Sequence, residues 1–263
     1  MKLRESVKAK LSKLRAQVVD VCETCKGEGY LPYPGQPGSL MRCRCMINFK
    51  YLMELTIAGI PQDYWSLTLA KMQIDEKYKS VVQLYLSHLD KAMERGLGLV
   101  LTGPNGVGKT SVMCHLGCRA IVHGYDVRYF SLAHFITAVQ KNNQEFIDDI
   151  NQGQMLLIDE LDKKYSKKGS DYVIKTFDEH LRGFLGDRKV VIIATNWSTT
   201  DVQRNFGDSL LSLMKRRCEF VEMVGEDFSN YVNSSYWERL KKDTELITKC
   251  VAKYAVEREA KCG

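Results

Sequence analysis

The sequence predicts an α/β fold, a parallel sheet between helices built around a phosphate-binding loop, preceded by a small N-terminal helical and zinc-binding module. Three observations predict it. The first is Gly103-Pro104-Asn105-Gly106-Val107-Gly108-Lys109-Thr110, which follows an apolar run, Leu97–Leu101, and opens a helical stretch from Ser111 to Val122. Strand, Gly-rich turn and helix in that order are the context a phosphate loop requires. The second is a pair of further apolar runs, 155–158 and 190–195, that are continuous rather than alternating and end in polar residues. Continuous runs mark strands buried on both faces, as in a parallel sheet. The third is the cluster Cys22, Cys25, Cys43 and Cys45 near the N-terminus.

A chain of 263 residues has room for one α/β domain and an appendage. Its apolar content of 44% suffices for a core, and its charged content of 27% is ordinary for a soluble protein. The net charge of +6 suits a nucleic-acid partner and equally suits a solubilising surface. The start, Met1-Lys2-Leu3-Arg4-Glu5, is charged and lacks the apolar stretch of a secretory leader. No apolar run approaches the ~18 residues of a membrane span. A cytoplasmic location without a membrane partner is therefore expected. In a reducing compartment nine cysteines, an odd number, favour metal binding over disulfides.

Residues 1–21 place Leu3, Val7, Leu11, Leu14, Val18 and Val21 at helical spacing, with Lys2, Arg4, Lys8, Lys10, Lys13 and Arg15 between them. Such a basic amphipathic helix either packs on its own domain or docks a partner or nucleic acid. Next, Cys22 and Cys25 have the spacing with which a tight turn grips one metal ion, and Gly27 and Gly29 suit that turn. Cys43 and Cys45, read as part of an extended segment, would face one side together. Four thiolates without histidine suit a closed, tetrahedral, structural Zn²⁺. The Pro- and Gly-rich stretch from Leu31 to Leu40 reads as a loop, with Tyr30, Tyr33, Arg42 and Arg44 around the site. A connecting helix and linker over 46–70, broken at Gly59-Ile60-Pro61, and one helix from Asp75 to Arg95 lead into the phosphate-loop strand.

In the loop, Gly103, Gly106 and Gly108 let the backbone wrap a polyphosphate with its N–H groups inward, and the helix N-terminus at Thr110 and Ser111 adds positive potential. Lys109 suits the β- and γ-phosphates, and the Thr110 hydroxyl suits Mg²⁺. A strand over Asp126–Phe130 and a helix over Ser131–Lys141, capped by Ser131, follow. The run ending at Ile158 delivers Asp159 and Glu160 to the C-terminal end of a strand, where α/β sheets place their ligands. Asp159 is the candidate to hold Mg²⁺ through its water shell and Glu160 to polarise an attacking water. The run ending at Thr195 delivers Asn196, a candidate to position that water and also a good turn former. A guanine-reading Asn-Lys-x-Asp is absent, Asn196-Trp197-Ser198-Thr199 failing it, so the nucleotide is read as ATP.

The Asp159-Glu160 pair with a strand-end Asn196 resembles the layout of AAA+ P-loop ATPases. The stretches Leu99–Thr110, Leu156–Leu161, Ile192–Asn196, Phe206–Asp208 and Val224–Phe228 are similar to those of DnaC/DnaI-type helicase loaders and the related IstB transposition helpers. The resemblance covers roughly residues 75–230, and the Cys-rich N-terminus resembles zinc-bearing loaders. It implies an arginine after the last core helix that reaches a neighbouring subunit's ATP, for which Arg216 and Arg217 stand in place. Basic residues at a helix C-terminus also simply complement its dipole. The chain departs from the family at Ser212-Leu213, where Ser-Arg is frequent, and at Ser229, where Arg is frequent. Lys163-Lys164-Tyr165-Ser166-Lys167-Lys168 is either a DNA-phosphate contact or a solvated charge run.

The expected organisation is an N-terminal basic helix and four-cysteine zinc module (1–60), an ATPase domain (61–230) and a polar helical extension (231–263). The resemblance implies an ATP-dependent loader that self-associates, binding a DnaB-type hexameric replicative helicase and single-stranded DNA on ATP and releasing them on hydrolysis. An IstB-type regulator forming filaments on duplex DNA and recruiting a transposase is the alternative. A nucleotide switch that binds no DNA and uses its zinc module on another protein is a third.

Overall fold

The structure is a computed structural model and describes residues 5–162 and 170–228. The basic run at 163–168, Ser229 and the extension at 231–263 lie outside the described residues. The chain divides into two compact units, of which the described residues of one lie within Met1–Ala58 and those of the other within Gly59–Ser234.

In the first unit, helix α1 (Glu5–Val18) precedes a short hairpin, β1 (Tyr30–Pro32) and β2 (Leu40–Arg42), and helix α2 (Arg44–Ala58) closes it. The hairpin is antiparallel and pairs Tyr30 with Arg42 and Pro32 with Leu40. The Pro- and Gly-rich stretch expected to be loop is thus a hairpin at both ends. Its turn is closed by the Tyr33 N–H donating to the Ser39 carbonyl at 2.8 Å. The segment holding Cys43 and Cys45 is not extended either. The Cys43 carbonyl accepts from the Met46 N–H at 3.0 Å and the Ile47 N–H at 3.3 Å, so the chain winds into α2 from that point and Cys45 sits in its first turn. The apolar residues that follow are spaced for a helix, and helix formation wins over strand continuation.

The second unit is a three-layer α/β sandwich. Its five strands are β3 (Gly98–Thr102), β4 (Val127–Ser131), β5 (Met155–Asp159), β6 (Val190–Thr195) and β7 (Cys218–Glu222), ordered β4-β5-β6-β3-β7. Every pairing in it is parallel. Helix α5 (Lys109–Val122) lies on one face. Gly117 lets it approach so closely that a Cβ there would stand 2.4 Å from Leu157 Cδ1. Helices α6 (Leu132–Gln140), α8 (Ser170–Gly186) and α9 (Thr199–Arg217) cover the other, where Phe135, Phe177, Leu181 and Met214 pack on Phe130, Leu156, Ile158 and Ile193. Successive residues of β5 alternate between these two cores, which is why the strand is apolar throughout.

The helix expected from Asp75 to Arg95 is two. Asp75 caps α3 (Glu76–Ser87) by accepting from the Lys77 N–H at 3.1 Å, and α4 (Leu89–Arg95) starts afresh after His88. His88 leaves helical geometry at φ −120° and ψ 20°. There the Ser87 hydroxyl donates to the Leu84 carbonyl at 2.8 Å and contacts His88 Nδ1 at 2.9 Å, local bonds that compete with the helical ladder. The strand ahead of the phosphate loop is Gly98–Thr102 and leaves Leu97 outside it. Helix α7 (Gln144–Gln152), capped by Asn143, and α9, opened by a capping box of Ser198 and Asp201, complete the unit. Gly207, at φ 80°, kinks α9.

Candidate functional site

Parallel topology sends the C-terminal ends of β3, β5 and β6 to one edge of the sheet, and the polar residues at their tips meet there. β3 ends at Thr102 and the loop 103–108 turns back into α5, with Gly106 at φ 79° and Gly108 at φ 91°, conformations that side-chain-bearing residues avoid. Pro104 and Asn105 are exposed, Val107 is buried, and Thr110 and Ser111 are half-buried in the first turn of the helix. Lys109 is 8% exposed. Its ammonium donates to the Gly103 carbonyl at 2.7 Å, the Pro104 carbonyl at 2.5 Å and Asn196 Oδ1 at 2.8 Å. Burial lowers its pKa, while the carboxylates of Asp162 and Asp159 work in the opposite direction.

Asp159 closes β5 and is 7% exposed. Its Oδ1 accepts from the Thr110 hydroxyl at 3.2 Å and the Glu160 N–H at 2.9 Å, and its Oδ2 accepts from the Tyr129 hydroxyl at 2.9 Å. Burial raises its pKa against the pull of those three donors. A hydroxyl and a carboxylate held side by side at a helix N-terminus form the hard oxygen donor set that suits Mg²⁺. Burial also drives the phenols of Tyr129 and Tyr64 upward, Tyr64 to about 12, so that both stay protonated. Glu160 is half-buried and turns the chain off the strand at φ 55°.

Asn196 stands beyond the tip of β6. Besides accepting from Lys109, it donates through Nδ2 to Asn105 Oδ1 and to Asp162 Oδ2, each at 2.9 Å. The structure thus brings Lys109, Thr110, Asp159 and Asn196 together. It does not bring Arg216 and Arg217 to them. Both lie in the last turn of α9 beside the start of β7, where Cys218 pairs with Gly98. The phosphate loop leaves from the other end of β3, four residues or roughly 13 Å away. Arg217 Nη1 donates instead to the Arg95 carbonyl at 3.4 Å.

Two residues of this edge escape a reading by motif: Tyr129 and Asp162 reach the site through the strand order, which spacing does not encode. The resemblance marks the stretch Val224–Phe228 after β7, but not the contacts it makes. The Met223 N–H donates to the Thr102 carbonyl at 2.7 Å and the Phe228 N–H to the Gly106 carbonyl at 3.2 Å. Between them, Tyr78 donates its hydroxyl to the Glu222 carbonyl at 3.0 Å and accepts from the Val224 N–H at 2.7 Å. Segment, loop and the start of α3 line a half-open cleft of about 330 Å³, with Met72, Ile74, Tyr78, Val107, Val224 and Phe228 as its apolar residues and Gln73, Asp75, Lys79 and Glu226 as its polar ones. An apolar wall with polar groups beside it, next to a phosphate loop, is suited to a flat base.

In the first unit, the sulfurs of Cys22, Cys25, Cys43 and Cys45 all lie within 4.8 Å of one another. Cys22 and Cys43 are 3.9 Å apart and Cys25 and Cys45 3.4 Å. A tetrahedral ion with bonds of about 2.3 Å to sulfur sets its ligands roughly 3.8 Å apart, so this donor set fits one. The Gly29 N–H donates to Cys25 Sγ at 3.1 Å. The backbone N–H of Cys25 pulls the Cys22 thiol down to about 6, whereas burial pushes Cys43 and Cys45 up. Among the described residues, no helix is long and apolar enough to cross a membrane.

Comparison with known proteins agrees with this geometry. The family described as IstB-like ATP binding protein matches residues 73–233. The insertion sequence IS21 putative ATP-binding protein of Pseudomonas aeruginosa is 26% identical over 125 residues, a stretch that is 46% of either chain, so the match spans about half the length of that relative. Among solved structures, the DnaC helicase loader is similar with a TM-score of 0.54 at 19% identity, over 62% of this chain and 100% of that one. DnaI follows with a TM-score of 0.51 at 15% identity, over 64% of this chain and 93% of that one. Those likenesses establish the shared AAA+ P-loop fold, and the family match extends over more than half of the sequence. The chain belongs to the IstB-like ATP-binding proteins and is an ATPase of the AAA+ P-loop fold.

Proposed function

We propose that this ATPase is a loader that uses ATP to assemble with a DnaB-type hexameric replicative helicase on single-stranded DNA, and hydrolysis to release it. The observation that carries the reading is a compact four-cysteine unit placed ahead of an ATPase unit whose tip residues converge on one phosphate loop. Such an arrangement separates a docking module from a nucleotide-driven one. The likeness in fold to DnaC over that chain's whole length supports it.

In this reading the loop Gly103–Thr110 and Ser111 hold the polyphosphate, with Lys109 exchanging its Gly103 and Pro104 carbonyl partners for phosphate oxygens. Adenine enters the cavity between Ile74 and Phe228. Thr110 and Asp159 hold Mg²⁺, which when bound offsets charge on the β- and γ-phosphates. Glu160 polarises the attacking water and Asn196 orients it. Arg216 and Arg217, far from their own loop, serve a neighbouring copy in a self-assembled oligomer in this reading, where a cation at the γ-phosphate stabilises the transition state. Cys22, Cys25, Cys43 and Cys45 hold Zn²⁺, and the module within 1–60 docks the helicase.

A second reading has its own support. The matching family and the IS21 relative favour a transposition regulator that coats duplex DNA in an ATP-dependent filament and recruits a transposase. One experiment separates the two. Glu160→Gln should retain ATP without turning it over and so trap the assembled state. By size-exclusion chromatography with light scattering, ATP is expected to bring this variant into a complex with a replicative helicase and single-stranded DNA. Assembly on duplex DNA without helicase would transfer the assignment to the transposition reading. A monomer under all conditions would overturn both.

A further inference from the structure

We infer that Asp162 is a positioning residue for Asn196, its carboxylate fixing which end of the Asn196 carboxamide faces the phosphate-loop lysine. Asp162 follows the tip of β5 and Asn196 follows the tip of the adjacent β6. Asp162 Oδ1 accepts from the Asn196 backbone N–H at 2.8 Å and from the Thr195 hydroxyl at 3.3 Å, and its Oδ2 accepts from Asn196 Nδ2 at 2.9 Å. One carboxylate therefore holds the backbone and the side chain of the same residue.

A carboxamide is symmetric in shape but not in polarity, with two donor hydrogens on one arm and an acceptor oxygen on the other. Its neighbours decide which arm points where. Asn105 cannot decide, because its own amide turns over to offer either arm. Lys109 and Asp162 have fixed polarity: an ammonium only donates and an ionised carboxylate only accepts. With Asp162 in place, the Asn196 NH2 faces the carboxylate and its Oδ1 faces the Lys109 ammonium at 2.8 Å. A flipped amide would set oxygen against carboxylate and NH2 against ammonium, losing two charge-assisted hydrogen bonds at once. The second Nδ2 hydrogen goes to Asn105 on the exposed loop, at 2.9 Å. That is the bond free to exchange for a γ-phosphate oxygen or its attacking water, while Asp162 retains the other.

The inference rests on the reading that Asn196 acts at the γ-phosphate, and a double-mutant cycle tests the two separately. Asp162→Asn keeps the size of the side chain but removes its fixed polarity. It is expected to lower kcat about tenfold or more while leaving the Kd for ATP within about threefold, since uniform binding is untouched. Combined with Asn196→Ala, it is expected to cost nothing further. If Asp162→Asn does not fold, Asp162→Ser, which removes the charge and keeps a small polar side chain, takes its place under the same requirement. Losses that multiply in the double variant, or a kcat unchanged by the Asp162 substitution, would overturn the positioning role and leave Asn196 in place. An Asn196→Ala variant with full kcat would overturn both.

Discussion

His115 carries the pH dependence that its position dictates. It is buried on α5, and its Nδ1 donates to the Leu67 carbonyl at 3.1 Å. Burial holds its pKa below the ordinary value; the Leu67 carbonyl opposes that and Arg119 adds to it. His180 is displaced in the same direction, chiefly by burial. With a folded pKa below the unfolded one, the unfolded chain takes up the proton first as pH falls. The stability these groups contribute is complete above the unfolded value, about 6.5, and is lost as pH drops toward the folded one. Thermal unfolding at pH 7.5 and 5.5 should show a lower Tm at the acid value, and His115→Gln should shrink the difference. An identical difference in the variant would remove His115 as a source. At this same scale the sequence is legible only where chemistry follows spacing. Lys109 and Thr110 are marked by the glycines before them, and Asp159 and Asn196 by the apolar runs they end. Tyr129 and Asp162 are marked by nothing local, because each meets its partner across a strand pairing.

Among the elements, the strands are the easier to read. Burial on both faces forces β5 and β6 into unbroken apolar runs, whereas β7, Cys-Glu-Phe-Val-Glu at the sheet edge, has only one apolar face and does not stand out. The helix over 144–152 shows a clear apolar face, with Phe146 and Ile150 buried, the one over 199–217 announces itself mainly through its capping box, and the break at His88 is set by side-chain bonds that periodicity does not register. Gly98 is a further case. It opens β3 so close to β6 that a Cβ would stand 1.9 Å from the Val191 carbonyl oxygen. Gly98→Ala must push these adjacent strands apart to be accommodated. It should destabilise the ATPase unit by roughly 2–4 kcal/mol, the range for overpacking and strain in a core. Denaturant unfolding followed by tryptophan fluorescence will measure it, and a loss under about 0.5 kcal/mol would mean that the strands separate freely.

At the level of the whole molecule, the two units have different sources of stability. The ATPase unit has a sheet buried between helices. Among the described residues the first unit has a short hairpin, two helices and the four sulfurs, and so small a core ordinarily needs a staple. Exposed Tyr30, Tyr33, Leu40 and Met41 add little to its core. Cys22→Ser, or a strong chelator, should therefore release one equivalent of zinc and unfold the first unit while the second keeps its ATP affinity. Metal analysis with hydrogen exchange resolved by segment will check this, and protection in residues 22–45 that survives chelation would count against a structural ion. Composition and cysteine spacing disclose a four-cysteine cluster ahead of a sheet-based domain, but not where the hairpin lies, because Pro and Gly mark a turn and leave its flanking strands unsigned.

The segment Met223–Phe228 has a consequence for where the ATPase ends. By secondary structure the sheet finishes at Glu222, and a fragment cut there would keep every strand. It would nonetheless strip the Thr102 and Gly106 carbonyls of their donors, leave the Tyr78 hydroxyl with one bond fewer, and remove a wall of the slot beside the loop. Among the described residues, the chain that supports the loop therefore extends past the sheet to Phe228. The same residues act as a tether: through the Phe228 N–H on the Gly106 carbonyl, the chain that leaves β7 is tied to the backbone of the loop that turns into α5.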